Sequence, residues 1–203
     1  GYQIGPDIKT LKVRFGETNG CKDINQNHLY SGYALLKGVH PNMSITPNLF
    51  SITPYPFPLM RLGELYLNYA EACANYTGSL DPLGTECFNK IRSKALLPTL
   101  AESFGNKTGS DLIKIIKRER MIEFMFEAHW LYDLKRWKDA VDWFAKDREG
   151  MWGLNSQGVT AEDFYQKTRL ENRPYIFDFK HYFYPIKQTY INVNHNLVQN
   201  PGW

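Results

Sequence analysis

Residues 111–144 contain neither proline nor glycine, and this stretch constrains the fold more than any other part of the sequence. Apolar residues recur along it at helical spacing, at Leu112, Ile115, Ile116, Phe126, Trp130, Leu134, Trp137 and Val141. Ser110 fits an N-cap, which puts Asp111 in the first turn, where the helix dipole favours an anion. Because apolar residues cover nearly every face between residues 121 and 134, we expect burial on most sides there. The stretch is predicted to be helical, either straight or bent near residues 128–133.

Carboxylates also line this predicted helix. Glu119, Glu123 and Glu127 form a column at i,i+4 spacing, where like charges repel one another. Cations must therefore lie nearby, and the candidates are Arg92, Arg118, Arg120 and Arg136. We interpret the charged residues as a structural ion-pair lattice between helices, whose members are Glu119, Arg120, Glu123, Glu127, Asp133 and Arg136.

Paired glutamates raise acid–base catalysis as an alternative. A glycosidase needs two carboxylates that flank the scissile bond from different directions. Two glutamates one helical turn apart face the same way, so the spacing of Glu123 and Glu127 disfavours this reaction. The sequence also has no phosphate-cradling glycine loop, no His/Cys metal cluster and no nucleophile motif. We therefore predict that the chain is not an enzyme, with no catalytic residue, no metal and no cofactor.

The charge balance argues against a nucleic-acid partner. The formal net charge of the 203 residues is +3, and the most basic stretch, residues 114–120, alternates its cations with apolar residues and Glu119. No apolar run approaches the roughly 18 residues that span a bilayer, and the sequence opens with no signal peptide or lipidation cysteine. Hydrophobic residues make up 43% of the chain, which is enough to bury a core.

A helical hairpin is predicted at residues 59–94, packed on residues 111–144. Its first helix, residues 59–76, would bury a face made of Leu62, Leu65, Tyr66, Tyr69, Ala70 and Cys73, and would end at Gly78. Pro82 suits the first position of the second helix, which would bury Leu83, Cys87, Phe88 and Ile91. Cys73 and Cys87 lie equally far from the turn, so we expect them to face each other, as neighbouring thiols or as a disulfide.

The rest of the chain lacks long helical patterns. Residues 1–58 are rich in Gly, Pro, Asn and Thr, residues 96–109 form a polar connector, and residues 145–180 mix charges with aromatics without a period. The predicted fold class is all-α: mostly helical, with tetratricopeptide-like helical hairpins, long irregular loops and a few short strands.

Four motifs, in the right order, carry a resemblance to the SusD/RagB family. Residues 30–37 resemble its TGY-x-x-x-K segment, and PLMRLGELYLNYAEA resembles its PLMR-x-AE-x-x-LNYAEA. Residues 119–137, ERMIEFMFEAHWLYDLKRW, resemble ER-x-x-EL-x-x-EG-x-R-x-x-DL-x-RW, with Ala128 where the family often has Gly and Trp130 where it usually has Arg. Pro185-Ile186 and the final QNPGW resemble the family's PIP and QNPG(Y/W) ends, and this tail is expected to dock the terminus rather than to bind ligand.

The resemblance implies a surface-exposed outer-membrane lipoprotein of Bacteroidetes-type bacteria. Such a protein captures an oligosaccharide and passes it to a partner TonB-dependent outer-membrane transporter of the SusC type. The motifs belong to the C-terminal part of longer members, so residues 1–203 are expected to be the C-terminal region of one larger domain, with the anchor outside it. Capture of a peptide is one alternative, and a helical interaction scaffold without a small ligand is another.

Trp152 is the residue that we expect to contact such a ligand. It lies between Gly150 and Gly153 and on no helical stripe, unlike Trp130 and Trp137. The glycines would let the backbone turn sharply and present the indole. Three further candidates lie in the same region: Asn155 as a hydrogen-bonding amide, and Tyr165 and Tyr175 as weaker aromatic contacts. The alternative is an Ω-loop that Trp152 itself anchors.

Overall fold

The computed structural model describes residues 2–4, 7–9, 12–17, 20, 31–35, 37–40, 44–46, 49–51, 53–54, 56, 58–146, 151–171 and 176–203. Helices dominate this part of the chain, which confirms the predicted fold class. They are α1 (Leu62–Thr77), α2 (Pro82–Lys94), α3 (Leu100–Phe104), α4 (Gly109–Glu123), α5 (His129–Trp137), α6 (Ala140–Lys146), α7 (Ala161–Phe164) and α8 (Gln188–Val193), with a 3-10 turn at Phe179–Tyr182.

The described strands form short two-stranded antiparallel hairpins. These strands are β1 (Tyr2–Ile4) with β2 (Asp7–Lys9), β3 (Ser44–Thr46) with β4 (Leu49–Ser51), and β5 (Met151–Leu154) with β6 (Lys167–Glu171). The chain divides into two compact units: a helical unit, Pro56–Asp133, and a mixed unit, Gly1–Tyr55 with Leu134–Trp203.

The core of the helical unit lies where α1 packs against α2 and α4. Its buried members are Leu67, Ala70, Ala74, Phe88, Ile91, Leu100, Leu112, Ile116 and Phe124. Gly78 ends α1 in the left-handed conformation (φ 75°), and Asp81 caps α2 by accepting a hydrogen bond from the Gly84 N–H at 2.6 Å. Both ends of the hairpin turn were predicted from these residues.

Half of the predicted buried face of α1 was wrong, although Ala70 is buried as predicted. Leu62, Leu65 and Tyr69 are exposed by 59%, 50% and 38%, whereas Leu67 and Ala74 are buried. The helix carries two apolar faces, and the core takes the one with alanines, because small side chains let neighbouring helices approach closely. In α2, Phe88 and Ile91 are buried as predicted, together with Cys87, whereas Leu83 is 51% exposed.

The stretch predicted as helical, either straight or bent near residues 128–133, is divided into α4, α5 and α6. A tight turn at residues 124–128 separates α4 from α5, with Phe126 and Ala128 both in the left-handed region at φ 65° and 63°. The prediction that residues 121–134 are buried on most sides was also wrong. Four of their apolar side chains are more than half exposed: Ile122, Met125, Phe126 and Tyr132. The N-cap of α4 is Thr108 rather than Ser110, while Asp111 does lie in the first turn.

In the mixed unit, the β5–β6 hairpin packs on the segment that carries the YSGY motif. The Leu154 N–H donates to the Ser31 carbonyl oxygen at 3.0 Å. Gly32 has φ +70°, and a Cβ at this position would lie 2.8 Å from Leu154 Cβ and 3.2 Å from the Phe164 ring. Both the backbone conformation and the close approach therefore require glycine here.

Cys73 and Cys87 are free thiols, so the disulfide alternative is wrong. Cys73 is half-buried and Cys87 is buried. Burial raises the pKa of the Cys87 thiol, with smaller contributions from Glu86, Asp81 and Cys73. The thiol of Cys87 is therefore held in its neutral, poorly nucleophilic form.

Candidate functional site

An arginine–carboxylate lattice lies in the helical unit; it consists of Arg61, Arg92 and Arg120 with Glu71, Glu119, Glu123, Glu127 and Asp133. Arg61 bridges Glu123 and Glu127, which follow each other in the i,i+4 column of carboxylates. Its Nη1 lies 2.5 Å from Glu123 Oε1, and its Nε lies 2.6 Å from Glu127 Oε2. One guanidinium between two carboxylates removes the repulsion that their i,i+4 spacing would cause.

Arg120 is the most deeply buried cation of this lattice, at 2% exposure. Its Nε lies 3.2 Å from Asp133 Oδ2 and 3.3 Å from Glu71 Oε2, and its Nη1 donates to Asn68 Oδ1 at 2.6 Å. The Phe124 ring packs between two guanidiniums, with Arg61 Cζ at 4.7 Å and Arg120 Cζ at 5.2 Å from its centroid. These contacts fix the turn that follows α4.

Arg92, the third arginine of the lattice, is also buried. Arg92 Nη1 lies 3.0 Å from Glu119 Oε2, and Arg92 also donates to the Pro98 carbonyl oxygen and to Ser103. Among the described residues, every buried side-chain nitrogen and oxygen has a hydrogen-bond partner. The carboxylates of the lattice are therefore held in ion pairs, which suits a structural role better than acid–base chemistry.

Sequence reasoning missed two members of the lattice, Arg61 and Glu71. Both lie within PLMRLGELYLNYAEA, so the motif itself was the signal that could have identified them. Arg120 was one of the candidate cations for the glutamate column, but Glu123 pairs with Arg61, and Lys94 Nζ lies 3.4 Å from the same oxygen. The guanidinium of Arg136, another predicted member, lies over the Trp137 ring, 4.9 Å from the centroid.

Trp152 lies on β5 and is 38% exposed. Across the hairpin it is paired with Arg169, and the register is irregular between Met151 and Trp152. Lys167 Nζ lies 4.7 Å and Arg169 Cζ 5.9 Å from the centroid of the indole. The side chain therefore lies on a hairpin surface beside two cations, instead of closing a loop from inside.

The other candidate ligand residues differ in their surroundings. Asn155 joins the end of β5 to the following turn: its N–H donates to the Phe164 and Gln166 carbonyls at 3.1 and 3.0 Å, and its Oδ1 accepts from the Gln157 N–H. Tyr165 is 71% exposed and contacts Phe164 edge to face. Tyr175 lies outside the described residues.

The C-terminal tail folds back on the PI motif through amide side chains. Gln199 accepts a hydrogen bond from the Ile186 N–H and donates one to the Ile186 carbonyl, both at 2.8 Å. Asn200 Nδ2 donates to the Tyr184 carbonyl at 2.6 Å, and the Trp203 indole N–H donates to the Lys180 carbonyl at 3.0 Å. These bonds place the QNPG residues in a docked turn, as their sequence predicted.

Two further properties bear on the kind of protein. No described helix is long and apolar enough to span a bilayer. In the same part of the chain, no three His, Cys, Asp or Glu side chains converge in a way that would hold a metal ion.

Buried arginines tie the described helices together, the C-terminal turn is docked, and Trp152 lies exposed on a small hairpin. The family model described as the SusD family matches residues 11–203. The chain therefore belongs to the SusD family, whose members are generally non-catalytic binding proteins and outer-membrane lipoproteins.

Individual relatives agree with this assignment. A SusD-like protein of Bacteroides ovatus is 36% identical over 87 residues, which cover 42% of this chain and 13% of that protein. The solved structure named BT4246 is 26% identical and covers 87% of this chain at a TM-score of 0.69. A SusD homolog from Bacteroides thetaiotaomicron, 22% identical over 71% of this chain, shares the fold at a TM-score of 0.51. The chain spans 29% and 26% of these two structures.

Proposed function

We propose that the chain is the C-terminal region of a non-enzymatic cell-surface protein that captures an oligosaccharide. The captured glycan passes to a partner TonB-dependent outer-membrane transporter of the SusC type, and the protein itself is held at the outer membrane as a lipoprotein. The match of the SusD family model to residues 11–203 carries this proposal. Residues 1–203 would then be one part of a larger domain.

The chemistry of the described residues supports binding without catalysis. Glu123 and Glu127, the carboxylates that a glycosidase would need, share a single guanidinium. Trp152 offers what glycan capture uses, an exposed aromatic face on an ordered hairpin with the Asn155 amide at the end of the same strand. We assign the arginine–carboxylate lattice a structural role and Trp152 the ligand contact.

Isothermal titration against a panel of glycans and peptides tests this function. We expect an oligosaccharide to bind, no member of the panel to be cleaved, and Trp152→Ala to weaken glycan binding several-fold, since an aromatic contact contributes about 0.5–1.5 kcal/mol beyond area burial. Trp130→Ala is a matched control, because Trp130 is 36% exposed but lies on α5. Binding of peptides alone would establish the peptide alternative, and hydrolysis that disappears in Glu123→Gln would establish a glycosidase.

A further inference from the structure

The indole of Trp152 is flanked by positive charge. In the β5–β6 register, Arg169 lies directly opposite Trp152. Lys167 lies opposite Leu154, which is the next residue after Trp152 on the same face of β5. Both side chains are exposed, as is Trp152. The Lys167 ammonium, 4.7 Å from the ring centroid, lies within the distance at which a cation is attracted to the face of an aromatic ring.

Lys90, Lys135 and Lys180 also place their ammonium groups over aromatic rings. Lys90 Nζ lies 5.2 Å from the Tyr66 centroid, but it is also paired with Glu86 at 2.7 Å. For Lys167, the described residues provide the indole and no carboxylate at ion-pair distance. Within the described part of the chain, this ammonium is therefore available to a counter-ion brought by a ligand.

This arrangement discriminates between neutral and charged sugars. A neutral sugar that stacks on this face of the indole must displace the ammonium and lose its cation–π contact. A sugar that carries a carboxylate or a sulfate can use the ammonium as a partner, because a charge-assisted hydrogen bond replaces the lost contact. Arg169 carries a second positive charge, with its Cζ 5.9 Å from the centroid of the indole.

The hairpin holds these groups in place. The Leu154 N–H donates to Ser31, the Asn155 N–H to Phe164 and Gln166, and the Phe15 N–H donates to the Gly158 carbonyl at 3.2 Å. Strand pairing fixes the order of Trp152, Lys167 and Arg169 along the surface, so that only the side-chain rotamers need to adjust when a ligand binds.

We propose that Trp152, Lys167 and Arg169 form a subsite for an anionic sugar residue, whose carboxylate or sulfate pairs with Lys167 while its ring packs against the indole. The proposal rests on the proposed function, capture of an oligosaccharide, and names its substrate class as acidic glycans.

The test compares oligosaccharides that differ in charge. The ligands are a tetragalacturonate, the same tetramer with its carboxyl groups reduced to alcohols, and a sulfated galactose tetramer, each titrated into the purified protein by calorimetry. We expect one or both charged tetramers to bind about three- to ten-fold more tightly than the reduced one. The two charged arms separate a carboxylate subsite from a sulfate subsite. The preference should shrink as the salt concentration rises from about 20 to about 300 mM.

Lys167→Gln should abolish the preference while leaving the affinity for the neutral tetramer equal or slightly higher, because the ammonium no longer covers the indole. Lys90→Gln makes the same charge change on a lysine over a ring and should keep the preference. Thermal melts of both variants confirm folding.

Equal binding of neutral and charged tetramers, or a preference that survives Lys167→Gln, overturns the acidic subsite and leaves glycan capture standing. If no saccharide binds, or only acidic peptides bind, both the subsite and the proposed function are wrong.

Discussion

Ala128 shows how one residue carries the strain of the turn between α4 and α5. Its φ is 63°, a left-handed conformation in which a Cβ costs roughly 1–2 kcal/mol. The family often has glycine at this position, and the structure supplies the physical reason. We expect Ala128→Gly to stabilise the protein by about 0.5–1 kcal/mol, since relief of strain exceeds the entropy that glycine adds to the unfolded chain. Urea unfolding, read as a higher midpoint at an unchanged slope, measures the effect.

Ala72→Gly is the matched control for this prediction. Ala72 is also exposed, but it lies inside α1, where glycine costs about 0.5–1 kcal/mol relative to alanine. The two substitutions remove the same methyl group and should move the midpoint in opposite directions. A lower midpoint for both would show that Ala128 is not strained.

Residue-level reasoning could identify the charged column but not all of its partners. Arg120 and Asp133 were both assigned to the lattice from the sequence. Arg61 escaped, because it precedes α1 and lies 62 positions from Glu123, a distance that no helical spacing encodes. The turn at residues 124–128 was predicted only as a possible bend near residues 128–133, since its left-handed residues, Phe126 and Ala128, are ones that favour helices or strands rather than turns.

At the scale of elements, the turn between α1 and α2 couples stability to pH. The Tyr69 hydroxyl donates to Asp81 Oδ2 at 2.8 Å, which raises the pKa of Tyr69 to about 12. The Gly84 N–H, and then Tyr69, lower the pKa of Asp81 below its ordinary value of 3.8. A lowered carboxyl pKa stabilises the fold above the ordinary value and loses that effect as the pH falls through the folded value.

Asp81→Asn removes the negative charge and keeps the N-cap, because asparagine caps helices about as well as aspartate does. We expect the wild-type protein to be more stable than the variant near neutral pH, and the difference to vanish as the pH falls from about 6 to about 2. Urea unfolding across this range measures it. Tyr69→Phe should remove part of the pH dependence and keep the rest, which comes from the Gly84 N–H. A difference that stays constant with pH would contradict the assignment.

The docked tail offers a second test at this scale. Gln199→Glu keeps the oxygen that accepts from the Ile186 N–H but replaces the donor with an oxygen that faces the Ile186 carbonyl. Loss of this bond in a half-buried place should cost about 1–3 kcal/mol. Gln188→Glu, at the exposed start of α8, makes the same change and should stay within about 0.5 kcal/mol. Faster hydrogen exchange of the Ile186 amide in Gln199→Glu alone is the expected result.

How accurately an element was predicted depends on how local its sequence signal is. α2 was placed correctly by Asp81 and Pro82, and the end of α1 by Gly78, since caps act within one turn. α3 was missed in a segment read as a connector, although Thr99 and Glu102 form a capping box there. The buried face of α1 depends on which helices pack against it, and that choice is tertiary, so periodicity alone could not make it.

For the whole molecule, the residues that we assign to holding the fold and the one that we propose to contact a ligand lie in different units. The arginine–carboxylate lattice lies in the helical unit, and Trp152 lies in the mixed unit. Arg120→Ala leaves Glu71 and Asp133 buried without their shared cation, which should cost on the order of 3–5 kcal/mol. Arg118→Ala removes an exposed arginine from the same helix and should change the melting temperature little.

Comparison of Arg120→Ala with Trp152→Ala tests this separation directly. Arg120→Ala should lower the melting temperature clearly, yet bind the glycan with wild-type affinity below its transition, because no ligand contact is removed. Trp152→Ala should do the reverse, weakening binding several-fold while the melt stays nearly intact, because the side chain is 38% exposed. Calorimetric titration and thermal unfolding give an affinity and a melting temperature for each of the two variants.

A large loss of stability in Trp152→Ala would place the indole in the packing of the mixed unit. An unchanged melt in Arg120→Ala would mean that the lattice contributes no net stability.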